Sequence, residues 1–213
     1  LEDLEFIKDR LNIVERQVGN CIDISRRYLG FLRQQDDEAA AASLNQLLAD
    51  LEQLVRVHPS LHENEFRLTP VGQDVFVNLN GTDLIQILLN LVVNAFQCVS
   101  QPHRVEIGGE VLTAPLDLAN IQETANSRLL NIEGLKNTAP LVKLWVRDTG
   151  CGIPPEVLPK IFQPYFTTKG PRQGTGLGLN IVQRLIKEND GALHVQTQQG
   201  VGTTFTVYLP GVE

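Results

Sequence analysis

The sequence predicts an α+β protein, a two-layer sandwich in which helices cover one face of a mostly antiparallel sheet, preceded by a long bundle helix. Three observations predict this arrangement. Apolar residues recur every three or four positions through the first quarter of the chain, which is helical spacing. β-forming segments and further helical stripes alternate through the remainder. The 213 residues are 42% hydrophobic, which is enough to bury a real core.

The first segment predicts one long helix. Its apolar residues follow alternating steps of three and four, with charged residues between them: Leu4, Ile7, Leu11, Val14 and Val18. This heptad pattern is narrower than the apolar face of an ordinary globular helix, so it favours a coiled coil or bundle over packing on the chain's own core. We therefore predict a bundle helix over residues 1–35, which needs a partner helix.

A second helix is predicted next. Acidic residues 36–38 favour a helix N-terminus, because carboxylates there interact well with the helix dipole. The leucine-rich stripe from Leu44 to Val55 has helical spacing and must end before Pro59. Residues 36–213, which begin with this helix, are the expected second domain.

A hairpin and a third helix are predicted after it. β-forming residues 65–69 and 74–79 flank a turn-like Pro-Val-Gly, which is typical of a two-stranded hairpin. Thr82 is the expected N-cap of a helix that runs to about Val99. The leucines and isoleucines of that helix would face the core.

The second half predicts four strands, a fourth helix and an insertion. The strands are expected over 104–112, 141–147, 192–197 and 203–209, and the helix over 179–188. The stretch 112–139 is too long for a hairpin turn and has weak periodicity. We expect an insertion there, with a short helix around 116–130. Glycine-rich residues 150–178 precede the last helix.

Composition excludes several classes of function. Acidic residues outnumber basic ones 25 to 18, and the net charge of −7 argues against a nucleic-acid-covering or membrane-surface protein. The three cysteines are odd in number and widely spaced, which indicates neither disulfides nor zinc and fits a reducing, cytoplasmic setting. No apolar run reaches the roughly 20 residues of a membrane span. The lack of methionine and the opening in mid-pattern predict a piece of a longer protein.

Two short blocks place oxygen ligands on a predicted helix and at the end of a predicted strand. Asn90 and Asn94 lie one helical turn apart, and an amide oxygen is a neutral, hard ligand suited to Mg²⁺ that accompanies nucleotide phosphates. Asp148 ends a predicted strand and is followed by Gly150 and Gly152, so its carboxylate could accept a hydrogen bond from an amine such as that of adenine. Each block alone is more often a plain polar contact or a turn.

Two further blocks follow Asp148. Phe162, Phe166 and Lys169 combine aromatic residues with a cation, which favours either a hydrophobic latch beside a phosphate-pairing lysine or simple core packing. Three glycines within residues 174–178 lead into the last helix and expose amides that can cradle phosphates. Their spacing is that of neither a dinucleotide fingerprint nor a P-loop.

In this order, the four blocks resemble the N, G1, F and G2 boxes of the catalytic, ATP-binding domain of sensor histidine kinases. The resemblance extends over about Asn45 to Pro210 and implies a Bergerat ATP-binding fold. It implies that Asn94 ligates Mg²⁺, that Asn90 supports the phosphates and that Lys169 lies near them. The loop 167–176 would form the lid over ATP.

At the base of the nucleotide, the resemblance assigns Asp148 to the adenine amine, with Gly152 and Thr203 beside the ring. In full, the ATP-binding residues that it implies are Asn90, Asn94, Asp148, Gly150, Gly152, Ile153, Phe162, Thr168, Lys169, Gly174, Thr175, Gly176, Leu177, Gly178 and Thr203. Asn94 and Lys169 would be the catalytic pair. Two features depart from the family pattern: Gln97 stands where many relatives carry a basic residue, and the insertion replaces a short connection.

The resemblance also implies partners. The helix from Leu4 to Arg33 resembles the second helix of the dimerisation and phosphoacceptor hairpin of such kinases, which implies a homodimer in the full-length protein and relay to the receiver domain of a response regulator. The helix that should bear the phosphorylated histidine is missing. Of the four histidines, His62 alone precedes an acid, and it lacks the proline that should close the motif. We therefore predict that this chain binds Mg-ATP but does not phosphorylate itself on the family's usual histidine.

Two other classes of function compete with a histidine kinase. A related ATPase that closes a dimer needs a carboxylate one turn ahead of the magnesium asparagine, but Gln86 and Asn90 stand there instead. The second class is an interaction module without kinase activity, or a serine kinase that acts on a partner protein. Asp148, Asn94 and the glycines speak against lost nucleotide binding, and the bundle helix separates the chain from stand-alone serine kinases.

Overall fold

The computed structural model describes residues 43–58, 61, 64–77, 79–99, 101–121, 123–169 and 176–212. They all belong to one compact unit, Ala41–Glu213. The predicted bundle helix over 1–35 and the acidic helix start at 36–38 lie outside the described residues. Among the described residues, no helix is both long and apolar enough to cross a membrane.

Within these ranges the chain forms three α-helices and seven strands. The helices are α1 (Leu44–Arg56), α2 (Gly81–Phe96) and α3 (Gly178–Glu188). The strands are β1 (Glu65–Leu68), β2 (Phe76–Val77), β3 (Arg104–Leu112), β4 (Ser127–Leu130), β5 (Leu141–Asp148), β6 (Ala192–Gln198) and β7 (Gly202–Val212). The strand order is β1-β3-β5-β7-β6-β4, with β2 paired to β7. All neighbours are antiparallel except β1 and β3, so the predicted α+β class with a mixed, mostly antiparallel sheet is confirmed.

The helices cover one face of the sheet. Helix α2 packs against α1, α3 and strand β5, and its leucines and isoleucines are buried as the periodicity predicts. Helix α1 begins after Ser43, whose hydroxyl oxygen accepts a hydrogen bond from the Gln46 N–H at 3.1 Å. This packing places the polar face of α2, with Asn90 and Asn94, beside the start of α3.

The prediction of a two-stranded hairpin over residues 65–79 is wrong. Strand β1 pairs in parallel with β3, whereas β2 pairs with the far end of β7. The segment between them is held to α1, where the Asn45 side chain accepts a hydrogen bond from the Val71 N–H (2.9 Å) and donates one to the Val71 carbonyl (3.1 Å). Local β propensity indicated both strands, but their partners come from distant parts of the chain.

The predicted ends of α2 also need correction. Asn80, and not Thr82, is the N-cap: its side-chain oxygen accepts from the Thr82 N–H at 3.0 Å. The helix ends at Phe96 rather than at Val99. Gln97 and Cys98 therefore lie just beyond the helix, where their side chains are close to the end of β5 and to the segment that follows it.

The predicted helix around 116–130 is absent from the described part of the insertion. Two short 3₁₀ turns, Leu118–Asn120 and Ile132–Gly134, flank strand β4, which pairs with β6 at the sheet edge. On the sheet face away from the helices, three partly buried residues of this region pack over Leu141, Ala192 and Tyr208: Leu112, Leu116 and Leu135. The insertion is thus part of the sheet and of a second, smaller core.

Candidate functional site

A cavity of about 780 Å³ lies between α2, the start of α3 and the ends of β5 and β7. Its volume is that of an ordinary small-molecule site. Residues from all four sequence blocks line it. The predicted site residues among them are Asn90, Asn94, Asp148, Gly152, Ile153, Thr168, Lys169, Gly176, Gly178 and Thr203.

Other predicted site residues are not part of the cavity wall. Gly150, Phe162 and Leu177 do not line it. Phe162 is buried, and its carbonyl oxygen accepts a hydrogen bond from the Asn180 amide at 3.2 Å, so it packs behind the wall while Phe166 lines it. The predicted residues Gly174 and Thr175 lie outside the described residues.

One end of the cavity is built around the carboxylate of Asp148. The residue is the last of β5, stands opposite Thr203 of β7, and is only 6% exposed. Its Oδ1 atom accepts from the Gly150 N–H at 2.9 Å, and the Cys98 thiol lies 3.7 Å from the same oxygen. A side chain on Gly150 could not coexist with this arrangement, because its Cβ would lie 2.0 Å from the Cys98 sulfur.

Burial raises the pKa of Asp148 above that of an ordinary aspartate, because the charged form loses water. The N–H groups of Gly150 and Thr203, the charge of His103 and the Cys98 thiol partly offset this rise in pKa. The same burial, together with the charge of Asp148, raises the pKa of Cys98 to about 12. Cys98 is therefore a neutral thiol at neutral pH and can donate to the carboxylate.

A threonine pair supports the floor of this end. Thr197 and Thr203 face each other across the β6–β7 hairpin, with their hydroxyl oxygens 3.1 Å apart. The Thr197 hydroxyl also accepts from the Ile153 N–H at 2.7 Å. It thereby fixes the segment after β5, in which Gly152 has a left-handed φ of 67° and a Cβ would lie 2.1 Å from the Gln198 carbonyl.

The opposite end of the cavity carries amide side chains and a helix N-terminus. Gly178 begins α3 against the polar face of α2, where a Cβ on it would lie 3.1 Å from Asn90 Oδ1 and 3.6 Å from Asn94 Nδ2. The Asn90 amide donates to the Gln86 carbonyl at 2.8 Å. The first-turn N–H groups of the eleven-residue helix α3 have no acceptors within the helix, and together with the helix dipole they favour an anion here.

The cation at this end is Lys169. Its Nζ atom lies 3.2 Å from Gln97 Oε1 and 3.4 Å from Asn94 Oδ1. Burial lowers the pKa of Lys169, because the charged form is desolvated. The cavity thus has a carboxylate at one end and an ammonium beside amide oxygens at the other, which suits a ligand with an amine-bearing ring and an anionic tail.

Several residues around Asp148 are not indicated by the sequence patterns. Thr197 could have been found, because the two closing strands, joined by a tight turn, bring position 197 opposite position 203. Cys98 and His103 gave no signal. His103 holds the end of α2, with Nε2 2.7 Å from the Ala95 carbonyl and Nδ1 3.0 Å from the Gln101 carbonyl. These contacts depend on the end of α2 and the start of β3 meeting in space.

A protein-family model matches residues 80–213, more than half of the chain. It describes the histidine kinase-, DNA gyrase B- and HSP90-like ATPases. The chain belongs to this family. The match includes every cavity-lining residue described above, so this member of the ATPase family carries its predicted nucleotide site within the matched region.

Individual relatives of this ATPase domain are sensor kinases. The chain is 34% identical to the sensor kinase CckA of Brucella abortus over 95% of its own length, and 34% identical to the sensor histidine kinase ZraS of Escherichia coli K12 over 80%. It spans 20% of the first protein and 30% of the second. Among solved structures, the catalytic domain of histidine kinase ThkA is similar, with 25% identity, a TM-score of 0.57 and coverage of 79% of this chain and 96% of that one.

Proposed function

We propose that this chain is the ATP-binding catalytic core of a sensor histidine kinase, which delivers the γ-phosphoryl group of ATP to a histidine outside it. Family membership makes it an ATP-binding domain. The observation that supports the kinase most directly is the convergence of four separate sequence blocks on one cavity, with Asp148 at one end and Asn94 and Lys169 at the other. The sensor-kinase relatives support the same reaction.

We assign recognition of the adenine ring to Asp148. Oδ1 is already engaged by the Gly150 N–H and the Cys98 thiol, so the carboxylate is held in one orientation in which it can accept from an exocyclic amine. Gly152 and Thr203 form the wall next to it, where a missing or short side chain leaves room for a flat ring. A purine with a carbonyl in place of the amine would face the carboxylate with another acceptor.

We assign the phosphates to the other end. Asn94 fits a magnesium ion, because its Oδ1 is a neutral hard donor in the cavity that already accepts a positively charged group, the Lys169 ammonium. When bound, the metal supplies neutralisation of phosphate charge. The N-terminus of α3 and Lys169 would hold the phosphate oxygens in place, and Asn90 would support this end from α2, where its side-chain oxygen lies beside Gly178 at the start of α3.

The nucleophile belongs to another part of the kinase. Phosphoryl transfer needs little covalent chemistry from this domain, which positions ATP and neutralises charge for in-line attack by an imidazole nitrogen. We propose that residues 1–35 belong to the dimerisation hairpin of a homodimer, that residues 36–213 are the catalytic domain, and that the phosphoryl group passes on to the receiver domain of a response regulator. The free thiols Cys98 and Cys151 support the predicted reducing, cytoplasmic setting.

A water-activating ATPase is a poorer fit. Hydrolysis of that kind needs a carboxylate on α2 one turn ahead of Asn94, and Asn90 stands there. The amide of Asn90 cannot take a proton from water, and it donates to the Gln86 carbonyl. The chemistry of α2 therefore favours transfer to an external acceptor over hydrolysis.

Calorimetric titration with ADP and with IDP, which lacks the exocyclic amine, tests this function. We expect the chain to bind ADP more tightly than IDP, and Asp148→Asn to weaken ADP about 10- to 100-fold, since a charged hydrogen bond is lost. Because burial raises the pKa of Asp148, its ionisation costs stability in the unliganded fold. The unliganded Asn variant should therefore melt no lower at neutral pH.

Two results would contradict the proposal. The first is equal affinity for ADP and IDP, which would remove the role given to Asp148. The second is acid-labile, base-stable label from γ-labelled ATP on any of the four histidines of this very chain, because the phosphoacceptor is expected elsewhere.

A further inference from the structure

The contact between Lys169 and Asn94 has a consequence for how the site handles cations. Lys169 Nζ lies 3.4 Å from Asn94 Oδ1, the oxygen proposed above to hold Mg²⁺, and 3.2 Å from Gln97 Oε1. An amide oxygen has two lone pairs, but a metal ion on the second would stand close to the ammonium on the first, and the two cations repel. Repulsion therefore favours loss of the Lys169 contact when a metal ion binds to Asn94.

Among the described residues, no carboxylate pairs with the charge of Lys169. The two oxygens that its ammonium contacts belong to neutral amides. Burial lowers the pKa of its ammonium, which means that the group gives up water without gaining a carboxylate. A half-buried cation held only by amide oxygens, beside the N-terminus of α3, is an arrangement that an anion stabilises.

Gln97 provides a second hydrogen-bond acceptor for the Lys169 ammonium. It is the first residue after α2, and its Oε1 atom lies 3.2 Å from Lys169 Nζ, so this contact does not depend on the predicted metal ligand. If the Asn94 contact breaks, the Gln97 contact can persist. Lys169 would then remain at the cavity wall instead of moving into solvent.

We infer that Lys169 contacts Asn94 in the nucleotide-free protein and loses this contact when the metal of a metal–nucleotide complex binds to Asn94. Lys169 then remains in contact with Gln97 and faces the phosphates. This inference rests on the proposed function, because it takes the ligand to be a nucleotide with its Mg²⁺. Gln97 is then a positioning residue, because it acts on the phosphates only through Lys169.

If the Lys169 ammonium and Mg²⁺ exchange at Asn94, the dependence of nucleotide binding on Mg²⁺ follows. In the natural chain, Lys169 already supplies a positive charge, so ADP should bind without metal and Mg²⁺ should add only modestly. In Lys169→Met nothing replaces that charge when the metal is removed. The gain in affinity on adding Mg²⁺ should therefore be larger in Lys169→Met than in the natural chain.

The experiment is calorimetric titration of the chain with ADP in excess Mg²⁺ and in excess EDTA. For Lys169→Met we expect metal-free affinity to fall about 10-fold or more and Mg²⁺-loaded affinity to fall only about 3-fold, as loss of a charge-assisted contact implies. Lys169→Arg keeps a cation and should keep the natural ratio of the two affinities within about twofold. Thermal unfolding of the unliganded variants checks that they fold.

Gln97→Ala is the matched variant that removes the second contact of the Lys169 ammonium. It should lower Mg²⁺-loaded affinity about 3-fold and leave metal-free affinity within about twofold, because Asn94 still holds Lys169 when no metal is present. If Lys169→Met weakens both affinities by the same factor, the ammonium does not exchange with the metal and the inference is overturned. If the natural chain binds ADP under neither condition, the proposed function fails instead.

Discussion

The carboxylate of Asp148 is unfavourable to bury, and its neighbours reduce that cost without neutralising it. Two backbone N–H groups, the charge of His103 and the Cys98 thiol all lower its raised pKa, but no basic side chain pairs with it among the described residues. A carboxylate held in this way keeps acceptor capacity for a ligand. Such residual cost is typical of binding sites, where stability is exchanged for function.

Cys98 should be almost inert toward thiol reagents. Its pKa of about 12 leaves roughly one thiolate in ten thousand at pH 8, and the thiolate is the nucleophile. We expect iodoacetamide at pH 8 to label the exposed Cys151 well before Cys98, and the Cys98 rate to rise about tenfold per pH unit between 7 and 10. Mass spectrometry of the peptides follows each site. Rapid labelling of Cys98 at pH 7 would show that the thiol is not held by Asp148 and burial.

At this scale, the sequence indicated the chemistry better than the geometry. Residue type and spacing indicate Asn94, Asp148 and Lys169 as candidates, and all three line the cavity. Phe162 is a candidate on the same grounds but packs behind the wall, because an aromatic residue in such a block serves the core as readily as the site. The pairing of Lys169 with Gln97 joins positions 72 apart in the chain, so no local pattern could reveal it.

Between elements, the segment after β5 is fixed by its fit against the β6–β7 turn. Gly152 approaches the Gln198 carbonyl so closely that a Cβ would lie 2.1 Å from it, and Ile153 donates to Thr197. Gly202 is similarly close to Asp148, with a Cβ position 2.1 Å from its carbonyl oxygen. The glycines of this region thus let a loop and a hairpin pack together, which is a role separate from ligand contact.

Substitution at Gly152 and at Gly200 separates this packing from backbone strain. Both residues have left-handed φ values, 67° and 79°, but a Cβ on Gly200 meets nothing within 4 Å. We expect Gly200→Ala to lower the free energy of unfolding by about 1–2 kcal/mol through strain alone. Gly152→Ala should cost at least about 3 kcal/mol, since the clash with backbone adds to the strain. Urea unfolding measures both, and equal losses would contradict the packing role.

Elements that depend on local interactions were predicted correctly, whereas those that depend on partners distant in the sequence were not. Helix α3 and strands β3 and β5 were predicted within a residue or two, because their periodicity is local. The hairpin at 65–79 failed because its two strands pair with β3 and β7, far along the chain. The helix expected at 116–130 failed because strand β4 is stabilised by β6, which weak local periodicity cannot indicate.

Across the whole domain, the two faces of the sheet differ in function. The helix-covered face carries the cavity at the ends of β5 and β7, whereas the opposite face is covered in part by the insertion. Leu112, Leu116 and Leu135 pack there against Tyr208 and its neighbours. No described residue of 112–139 lines the cavity, so the described part of the insertion contributes to the fold and not to the wall of the site.

Truncation of the insertion's apolar contacts should therefore change stability without changing nucleotide affinity. We expect Leu116→Ala and Leu135→Ala each to lower the free energy of unfolding by about 1–2 kcal/mol, less than full core positions, since both side chains are only partly buried. Val201→Ala, at a side chain that is 58% exposed, is the control and should stay within about 0.5 kcal/mol. Urea unfolding gives the stabilities, and ADP titration should give dissociation constants within about twofold of the natural chain in all three. A larger fall in affinity in the leucine variants alone would mean that the second core supports the cavity across the sheet.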